Sequence, residues 1–386
     1  MKIKIIATTS TKEENFEDQK SFNNFSGKVA GICYMPGNFE DLMNESEEKT
    51  IRRANSTKLN GHHSVFDHEY VSLYLENIPK LLAMMLNNEK VYTTSEKSAR
   101  YTIMKNSTPL EKELYSKWHK IFVEEITKKY GGTSPFFDER RIKKLAQENA
   151  RYFLSILTPT SMVYTASYRQ LNYLCGWMKK FESNENQLIK SLKPQADAFI
   201  EFLQKQNLLD ESLMNDNKER DFSLFAKRDR QEFFDECYSV NYTGSYASFA
   251  QAQRHRTIKY EIKQIVPPEY YVPELIKENA NLKNMWLMDM QKVAHLHPQA
   301  ELVSINERGT PEDFILKTKE RLCSCAQLEI MRQTENILDR YYNETNNQDV
   351  KDYLENYIGG ARCVNSNFKC QTPCNFKEGI NLEREI

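Results

Sequence analysis

One sequence pattern occurs in both halves of the chain and limits what it can fold into. Residues 70–75 alternate apolar and polar or aromatic side chains and precede the apolar stretch IPKLLAMML. This order predicts a half-buried strand followed by a buried helix. The later stretch CYSVNYTGS alternates in the same way and leads into YASFAQAQRHR. The two passages align without gaps when Glu69 is placed opposite Glu236, and this register puts Asn87 opposite Arg254.

Segments further along the two halves also correspond. ENARYFLSILTPTSMVYTASYRQLNYLCGW reads as a helix, a loop and a second helix, and KVAHLHPQAELVSINERGTPEDFILKTKERLCSCAQLEI occupies its place in the second half. A repeat of this length indicates an internal duplication. We therefore predict an α+β fold class with two diverged copies of a mixed β-sheet flanked by helices. Copy one spans 1–205, copy two spans 206–360, and 361–386 is a cysteine-containing tail; the join lies within 193–227.

Length and charge set the broad class of protein. A chain of 386 residues is long enough for two domains with cores of ordinary size. Lysine plus arginine (53) nearly balances aspartate plus glutamate (54), so no overall field attracts a nucleic acid polymer or an anionic membrane. The apolar run in MKIKIIATTSTKEE is too short for a signal peptide or a membrane span, and a cytoplasmic protein is expected.

The cysteines and the histidines are the candidate metal ligands of the chain. Six of the eight cysteines fall in the second half, and nothing indicates export, so a disulfide framework is not expected. Cys363, Cys370 and Cys374 suggest a zinc clip, but they lack a clear fourth ligand, and free thiols on a loose tail are favoured. The histidines of 62–68 (HHSVFDH) do not have a usual ligand spacing. No metal site is predicted.

A motif of nucleotide chemistry is divided between the two halves. Arg254, His255 and Arg256 can open the pattern R-H-R-x-x-S-x-x-x-x-S-x-R. The second half departs from its remaining positions at Lys259, Gln264 and Val266. The first half has the opposite content, because KSARYT retains the serine-arginine end at Ser98 and Arg100, whereas NNEK stands where the basic triplet is expected.

These motifs resemble the flavin-dependent thymidylate synthases, the ThyX family. GHHSVFDH is similar to the family's G-H-x-S-x-x-E-H pattern, and ARYFLSILTPT with YRQL is similar to its A-R-x-x-L-P and N-x-R-x-L blocks. In the second half, QAQRHR and RLCSCAQLEI resemble the basic triplet and the R-x-x-x-x-A-Q-x-E-I helix. The matches follow the family order and cover most of the chain.

The resemblance also explains the division of the motif. Copy one has Arg151 of the A-R-x-x-L-P block, whereas copy two has His295 at about that place. Copy two has Arg321 before A-Q-L-E-I, whereas copy one has Met178. In the family, one subunit gives the triplet and the helix arginine, and another gives the S-x-R loop and the second arginine. The resemblance therefore implies one composite nucleotide site per chain.

The nucleotide implied by the resemblance is dUMP. Guanidinium groups bind the phosphate of a nucleoside monophosphate bidentately, and a fixed cation stabilises negative charge on the N3 to O4 side of uracil. The resemblance gives Arg321 that catalytic role and places Arg100, Arg151 and Ser98 at the phosphate. The full implied set of dUMP contacts is Gln251, Arg254, Glu96, Ser98, Arg100, Arg151 and Arg321.

The cofactor implied by the resemblance is FAD, whose pyrophosphate and reduced ring are anionic. The implied FAD contacts are His62, Ser64, Arg254, His255, Arg256, Ser167 and Arg169. Two positions depart from the family pattern, since Asp67 stands for a glutamate and Ser167 for an asparagine. No glycine-rich dinucleotide fingerprint occurs, so a Rossmann-type FAD site is not expected.

The reaction implied is reductive methylation of dUMP to dTMP. The one-carbon unit comes from methylenetetrahydrofolate, and the hydride comes from FAD that NADPH reduces. None of the eight cysteines has a convincing nucleophile setting, and the family dispenses with one. Three alternatives remain at this stage: a degenerate flavin- or nucleotide-binding protein without turnover, a related flavoenzyme that hydroxymethylates a pyrimidine nucleotide, and an interaction module without cofactor. A duplicated chain is expected to form a homodimer that acts as a pseudo-tetramer.

Overall fold

The fold divides into two units that interleave along the sequence. The computed structural model describes residues 1–9, 19–36, 38–100, 102, 106–214, 224–366, 368–371 and 373–386. Unit 1 consists of Met1–Lys97 and Pro159–Phe222, and unit 2 consists of Ser98–Thr158 and Ser223–Ile386. Residues 98–158, which belong to copy one in sequence, are thus part of unit 2. The copy boundaries at 205/206 and 360/361 stay predictions.

Each unit contains one four-stranded antiparallel sheet, and the two sheets have the same strand order. The order is β1-β2-β4-β3 in unit 1 and β5-β6-β8-β7 in unit 2. The strands are β1 (Lys2–Thr8), β2 (Tyr70–Pro79), β3 (Thr93–Glu96), β4 (Pro159–Ser167), β5 (Phe233–Phe234), β6 (Tyr238–Ser245), β7 (Lys259–Gln264) and β8 (Leu302–Gly309). This α+β architecture agrees with the predicted fold class, and the repeated order is compatible with a duplication.

Helices flank both sheets. The α-helices are α1 (Gln19–Tyr34), α2 (Phe39–Met43), α3 (Glu47–Leu59), α4 (Lys80–Leu86), α5 (Pro109–Tyr130), α6 (Glu139–Ala150), α7 (Tyr168–Met178), α8 (Gln187–Ser191), α9 (Lys193–Lys205), α10 (Glu211–Met214), α11 (Tyr246–Ala252), α12 (Glu274–Lys277), α13 (Ala280–Val293), α14 (Pro311–Arg321), α15 (Leu328–Glu344), α16 (Gln348–Glu355) and α17 (Lys377–Ile380). Short 3-10 helices lie at His63–Asp67, Pro135–Phe137, Arg151–Phe153, Ala294–Leu296 and Arg362–Val364. No helix among the described residues is both long and apolar enough to cross a membrane.

The pattern that defines the repeat forms the predicted elements in both units. Along β2 the side chains of Val71, Leu73 and Leu75 are fully buried, and α4 is buried on every side after its first residue. Alternation gives β2 one covered face, and the absence of polar side chains in LLAMML leaves α4 no solvated face. In unit 2, β6 is likewise followed directly by a buried helix, α11.

A β-bulge changes the alignment of the copies by one residue. The pairing of β2 with β4 shifts between Glu76 and Ile78, where Asn77 has a φ of 57°. The pairing of β6 with β8 has no such shift. Asn87 consequently caps α4 at the position where Gln253 caps α11. The prediction that Asn87 lies opposite Arg254 was wrong by one residue, because the gapless alignment did not include this bulge.

The helices after β4 and β8 match residue for residue. The last residue of α7 is Met178 and the last residue of α14 is Arg321, and the two helices have the same length. The 3-10 helix that begins at Arg151 corresponds to the one that begins at Ala294. Ala294, and not His295, therefore stands in the place of Arg151, which corrects the sequence alignment there.

Equivalent core positions of the two units differ in polarity. Unit 1 has buried apolar or aromatic side chains at Val71, Leu75, Tyr164 and Leu174. By strand register and helix position, the equivalents in unit 2 are Tyr238, Tyr242, Glu307 and Lys317. Lys317 Nζ lies 2.5 Å from Glu307 Oε2, and both side chains are completely buried. The hydroxyls of Tyr238 and Tyr242 donate to Glu307 at 2.8 and 2.9 Å.

The core of unit 2 combines segments from both sequence copies. The Trp118 ring of α5 meets the Trp286 ring of α13 edge-on at 4.9 Å between centroids. Phe122 and Phe153 also pack on Trp286, at 5.7 and 4.7 Å. Trp118 Nε1 donates to the buried Asp289 carboxylate at 2.9 Å, so the indole polar group is satisfied. This aromatic packing places residues 98–158 in unit 2.

The C-terminal segment is packed, which differs from the expected loose tail. Phe376 stacks edge-on against Phe137 at 4.8 Å, and Leu382 and Ile386 are buried. The buried Arg384 donates to the carbonyl of Ala326 at 2.6 Å. The segment is therefore an integral part of the unit 2 core.

Candidate functional site

Arg100 stands at the centre of a polar network inside unit 2. Its Nε donates to Glu148 Oε2 at 2.8 Å, its Nη2 donates to the carbonyl of Cys325 at 2.8 Å, and its Nη1 donates to Gln251 Oε1 at 3.4 Å. The side chain is 14% exposed. Three acceptors from separate segments thus fix the guanidinium at the edge of solvent, where a phosphate oxygen can replace one of them.

Arg151 lies deeper in the same network. Its Nη2 donates to Gln327 Oε1 and, at 3.4 Å, to the carbonyl of Ala247. Burial lowers the pKa of the Arg151 guanidinium, and the charge of Glu148 opposes this effect. Arg151 Nε is buried and has no hydrogen-bond partner among the described residues. An arginine still carries its charge when buried, so this guanidinium presents an unsatisfied donor to an anion.

Two glutamines connect the arginines. Gln251 Nε2 donates to Gln327 Oε1, and Gln327 Nε2 donates to the Tyr152 hydroxyl at 2.5 Å. The Tyr152 hydroxyl in turn donates to Glu329 Oε2 at 2.6 Å. Gln251 is fixed because α11 holds its backbone, and Gln327 caps the start of α15. The network therefore has a rigid scaffold, which is what anion recognition requires.

Glu329 terminates the network as a buried carboxylate. It accepts hydrogen bonds from the Ser245 backbone N–H at 2.7 Å and from the Ser245 hydroxyl at 2.6 Å. Burial raises the pKa of Glu329, while the Ser245 and Tyr152 donors oppose that shift. Donors on both carboxylate oxygens lock the orientation of Tyr152, and through it that of Gln327.

Arg321 is paired with His255. Arg321 Nε donates to His255 Nε2 at 2.9 Å, and Arg321 Nη2 donates to the Gln251 carbonyl at 3.2 Å. Burial, together with the charges of Arg321 and Lys317, lowers the pKa of His255 to about 2. His255 is therefore neutral, with its proton on Nδ1, and it orients Arg321 instead of adding a third charge to the triplet.

The remaining triplet and loop residues lie at the rim of this network. Arg256 is exposed, Arg254 is partly exposed, and the Arg254 backbone N–H donates to the Gln251 carbonyl at 3.3 Å. Ser98 Oγ accepts from the Arg100 backbone N–H at 3.3 Å, which shapes the turn that carries Arg100. Unit 2 thus brings together Ser98, Arg100, Arg151, Gln251, Arg254, His255, Arg256 and Arg321.

Glu96 has a different environment from Ser98 and Arg100. It belongs to unit 1, where its carboxylate accepts from Lys80 Nζ at 2.7 Å and is almost fully buried. The ion pair ties the end of β3 to the start of α4. Contact of Glu96 with a nucleotide remains a sequence-based prediction.

Unit 1 contains a second polar cluster around Asp67. Ser167 Oγ donates to Asp67 Oδ1 at 2.7 Å, and Arg169 Nη1 donates to Asp67 Oδ2 at 2.8 Å. Ser167 Oγ also caps α7 by accepting from the Gln170 backbone N–H at 3.1 Å. His62 and Ser64 are exposed at the start of the adjacent 3-10 helix. In this unit His62 and Ser64 are thus exposed, whereas the Ser167 hydroxyl is buried against Asp67.

Sequence reasoning missed several members of the unit 2 network. Gln327, Glu329, Glu148 and Tyr152 had no assigned role, although they lie in the QENARYF and AQLEI blocks. The available signal was their position inside these motif blocks. Among the described residues, no group of three or more His, Cys, Asp or Glu side chains is arranged to hold a metal ion.

Comparison with known proteins shows which family and which relatives this chain is similar to. Residues 22–180 match the family model Thy1, described as thymidylate synthase complementing protein. The flavin-dependent thymidylate synthase of Pyrococcus furiosus is 23% identical over 149 residues, which cover 36% of this chain and 57% of that protein. The enzyme of the same name from Thermococcus onnurineus is 24% identical over 127 residues, covering 30% and 49%. The chain thus spans about half the length of these curated relatives.

Two solved structures are also similar. ThyX from Helicobacter pylori, determined with FAD and dUMP, has a TM-score of 0.34 and 16% identity, covering 55% of this chain and 99% of that one. The UMP/dUMP methylase PolB from Streptomyces cacaoi, bound with 5-Br dUMP, has a TM-score of 0.33 and 13% identity, covering 54% and 92%. The match to the Thy1 family model thus covers residues 22–180, less than half of the chain.

Proposed function

We propose that the chain is an FAD-dependent thymidylate synthase with one composite active site per chain. It would methylate dUMP to dTMP with methylenetetrahydrofolate as the carbon donor and NADPH as the reductant. The observation that carries this proposal is the network in which Arg100 and Arg151 of copy one meet Gln251, Gln327 and Arg321 of copy two. The names of the curated relatives support the same activity.

Arg100 and Arg151 are the proposed phosphate ligands. Arg100 is held by Glu148 at 2.8 Å, so binding of the phosphate exchanges one carboxylate contact for a stronger dianionic one. Arg151 offers its buried Nε, which has no hydrogen-bond partner in the part of the chain that the structure describes. Both guanidiniums are preorganised by glutamine and carbonyl acceptors, which reduces the entropy lost when the nucleotide binds.

Arg321 is the proposed activating cation. His255 accepts a hydrogen bond from Arg321 without carrying charge, and the Glu320 carboxylate lies 3.6 Å from Arg321 Nη2. A fixed guanidinium in a partly dry site stabilises negative charge on the pyrimidine ring more strongly than one in water. Lys317, on the same helix, is fully buried, and its charge is paired with that of Glu307.

Each unit, taken by itself, carries donor groups of the kind that bind an anionic flavin cofactor. In unit 1 these groups are Ser167, Arg169, His62 and Ser64, and in unit 2 they are Arg254 and Arg256. When bound, reduced FAD supplies the hydride for the methyl group. Asp67 restrains Arg169 and Ser167 through hydrogen bonds of 2.8 and 2.7 Å, so these groups are positioned before the cofactor arrives.

The first test is the visible spectrum of the purified full-length protein, with FAD quantified per chain before and after addition of dUMP. About one FAD per chain and a spectral shift on dUMP are expected. Two FAD per chain would contradict the single composite site, and no FAD after reconstitution would overturn the proposed activity. Folate-dependent release of tritium from dUMP labelled at C5, with the product identified by mass, then separates methylation from binding without turnover and from hydroxymethylation.

A mixing experiment tests whether the composite site forms within one chain. Arg100→Ala and Arg254→Ala are expected to be inactive separately, although they affect different copies. Because Arg100 contacts Gln251 within a single unit, a mixture of the two variants should regain little activity. Substantial recovery would place the site between chains. We further propose a homodimer acting as a pseudo-tetramer, which sedimentation of the holoprotein will test.

A further inference from the structure

Five of the eight cysteines line one cavity of unit 2. The cavity has a volume of about 270 Å³, and its wall is formed by the end of α14 and by the C-terminal segment. Its cysteines are Cys323, Cys325, Cys363, Cys370 and Cys374. All five are free thiols in this structure. Neither the proposed reaction nor the nucleotide network uses these sulfurs.

The C-terminal segment lies directly against the Cys323-Ser324-Cys325 turn. Ser324 Oγ is 3.5 Å from Cys374 Sγ, and the Cys325 backbone N–H points to Cys323 Sγ at 3.5 Å. A Cβ at Gly379 would lie 2.2 Å from Ser324 Oγ, so only glycine permits this approach. The contact brings a thiol of the C-terminal segment next to a pair of thiols that are distant in sequence.

The cavity favours a thiolate at Cys325. The Cys325 side chain is exposed to solvent. The neighbouring Cys323 thiol, through its hydrogen bond, lowers the pKa of Cys325 well below its ordinary value, and the guanidiniums of Arg141 and Arg362 act in the same direction. The pKa of Cys323 is raised by the same hydrogen bond and by burial. An exposed thiolate beside a second thiol is the arrangement found at reactive, redox-sensitive cysteines.

We propose that Cys325 is a site of reversible thiol–disulfide exchange with low-molecular-weight disulfides such as oxidised glutathione, and that Cys374 is the resolving thiol. The Cys325 thiolate attacks one sulfur of glutathione disulfide, whose S–S bond breaks and releases one glutathione thiolate. The Cys374 thiolate then attacks the Cys325 sulfur of the mixed disulfide, and the second glutathione leaves as a thiolate. The protein loses two electrons and forms a Cys325–Cys374 disulfide, while one glutathione disulfide becomes two thiols.

This exchange would occur next to the nucleotide network. The carbonyl of Cys325 accepts a hydrogen bond from Arg100 Nη2 at 2.8 Å, and Arg141 Nη2 donates to the carbonyl of Ser324 at 3.3 Å. A disulfide at Cys325 therefore constrains the turn that holds Arg100. The inference itself stands on the cavity and does not depend on the proposed catalytic activity.

The experiment uses the reduced full-length protein and peptide mass spectrometry. Short pulses of iodoacetamide at pH 6 should alkylate Cys325 at least tenfold faster than Cys33 and Cys237, which are exposed elsewhere and serve as internal references. In a separate sample that has not been alkylated, oxidised glutathione should remove two thiols per chain and give a Cys325–Cys374 cross-linked peptide. Cys374→Ser should stop the reaction at glutathionylated Cys325, while Cys33→Ser, the control, should form the cross-link normally.

Four results would overturn the inference. The first is alkylation of Cys325 no faster than that of the reference cysteines. The second is glutathionylation spread evenly over the exposed cysteines without a cross-link. The third is stoichiometric metal in the purified protein that protects the five thiols until a chelator removes it, because the cavity would then be a metal site. The fourth is a Cys325 that does not react with oxidised glutathione in the Cys374→Ser variant, because Cys325 would then not be the attacking thiol.

Discussion

Unit 1 and unit 2 have the same strand order, but two equivalent core positions are apolar or aromatic in unit 1 and charged in unit 2. Where unit 1 buries Leu174 beside Tyr164, unit 2 buries Lys317 beside Glu307, completely excluded from solvent. Burial of an apolar pair is favourable by itself, whereas an ion pair must recover the desolvation of two charges. The polar version lies behind Arg321 and His255, on the same helix as Arg321. The difference indicates that unit 2 buries an ion pair, in spite of its desolvation cost, on the helix that carries Arg321 of the charged network.

The largest effect is expected from Lys317→Leu, which gives unit 2 the residue found at this position in unit 1. Glu307 would remain buried without its cation, and the free energy of unfolding should fall by about 3–5 kcal/mol. Urea denaturation followed by tryptophan fluorescence measures this change. The same substitution at the exposed Lys319 of α14 is the control and should change stability by less than about 1 kcal/mol.

Lys317→Leu combined with Glu307→Gln removes both charges and sharpens the comparison. Stability should recover to within about 2 kcal/mol of the parent protein, since no unpaired charge remains. If the single substitution at Lys317 proves as mild as that at Lys319, the buried pair does not contribute as described.

The next effect concerns nucleotide binding. Arg100→Ala should weaken dUMP binding, read from the shift of the flavin spectrum, by about a hundredfold, which corresponds to about 2.7 kcal/mol. The matched control is Val266→Ala, at the position of copy two that corresponds to Arg100, where the side chain is 86% exposed. Equal losses in both variants would contradict the asymmetric distribution of the site between the copies.

A pH effect of opposite sign is expected in each unit, and over the pH ranges measured the larger change in stability belongs to Glu69 of unit 1. Burial raises the pKa of Glu69 from 4.5 to about 7. Between these values the unfolded chain has lost the proton that the folded chain retains. Stability should therefore fall as pH rises through this window, by about 1.4 kcal/mol per pH unit. Glu69→Gln should remove that slope, measured by urea denaturation from pH 4.5 to 7.

The matched control for Glu69 is Glu236→Gln. Glu236 occupies the equivalent position in copy two and is exposed, so its replacement should leave the slope unchanged. A slope that survives in the Glu69→Gln protein would show that another group is responsible.

The smallest effect concerns His255 of unit 2. Its pKa is lowered from 6.5 to about 2, so below pH 6.5 the unfolded chain binds a proton that the folded chain does not. The contribution of His255 to the free energy of unfolding therefore falls as pH decreases below 6.5, by about 1.4 kcal/mol per pH unit. His255→Gln retains an acceptor for Arg321 and should remove the loss between pH 6.5 and 5. His295→Gln, at an exposed histidine, is the control.

Sequence patterns predicted the local elements because their evidence is local. The alternation in β2 and the apolar run of α4 identify a strand and a helix without reference to the rest of the chain. The strand order depends on pairing between distant segments, and the bulge at Asn77 depends on the backbone, so neither could be deduced from periodicity.

For the same reason, some residues of the candidate site could be predicted from the sequence and others could not. Charged motif residues such as Arg100 and Arg321 are visible in the sequence, and the structure places both in unit 2. Gln327 was not assigned a role, because its importance comes from accepting hydrogen bonds from Arg151 and Gln251. Glu96 lies only two residues from Ser98, yet its ion pair with Lys80 holds it in unit 1. Such partners are properties of the folded chain.

The interleaving of the units has a consequence for any attempt to divide this chain. A cut within 193–227, at the join of the copies, would leave the fragment 1–205 carrying residues 98–158. Their Trp118 and Phe153 would then lack Trp286, and the other fragment would lose half of an aromatic core. Both fragments would therefore have an incomplete aromatic core, and neither is expected to fold as a separate protein.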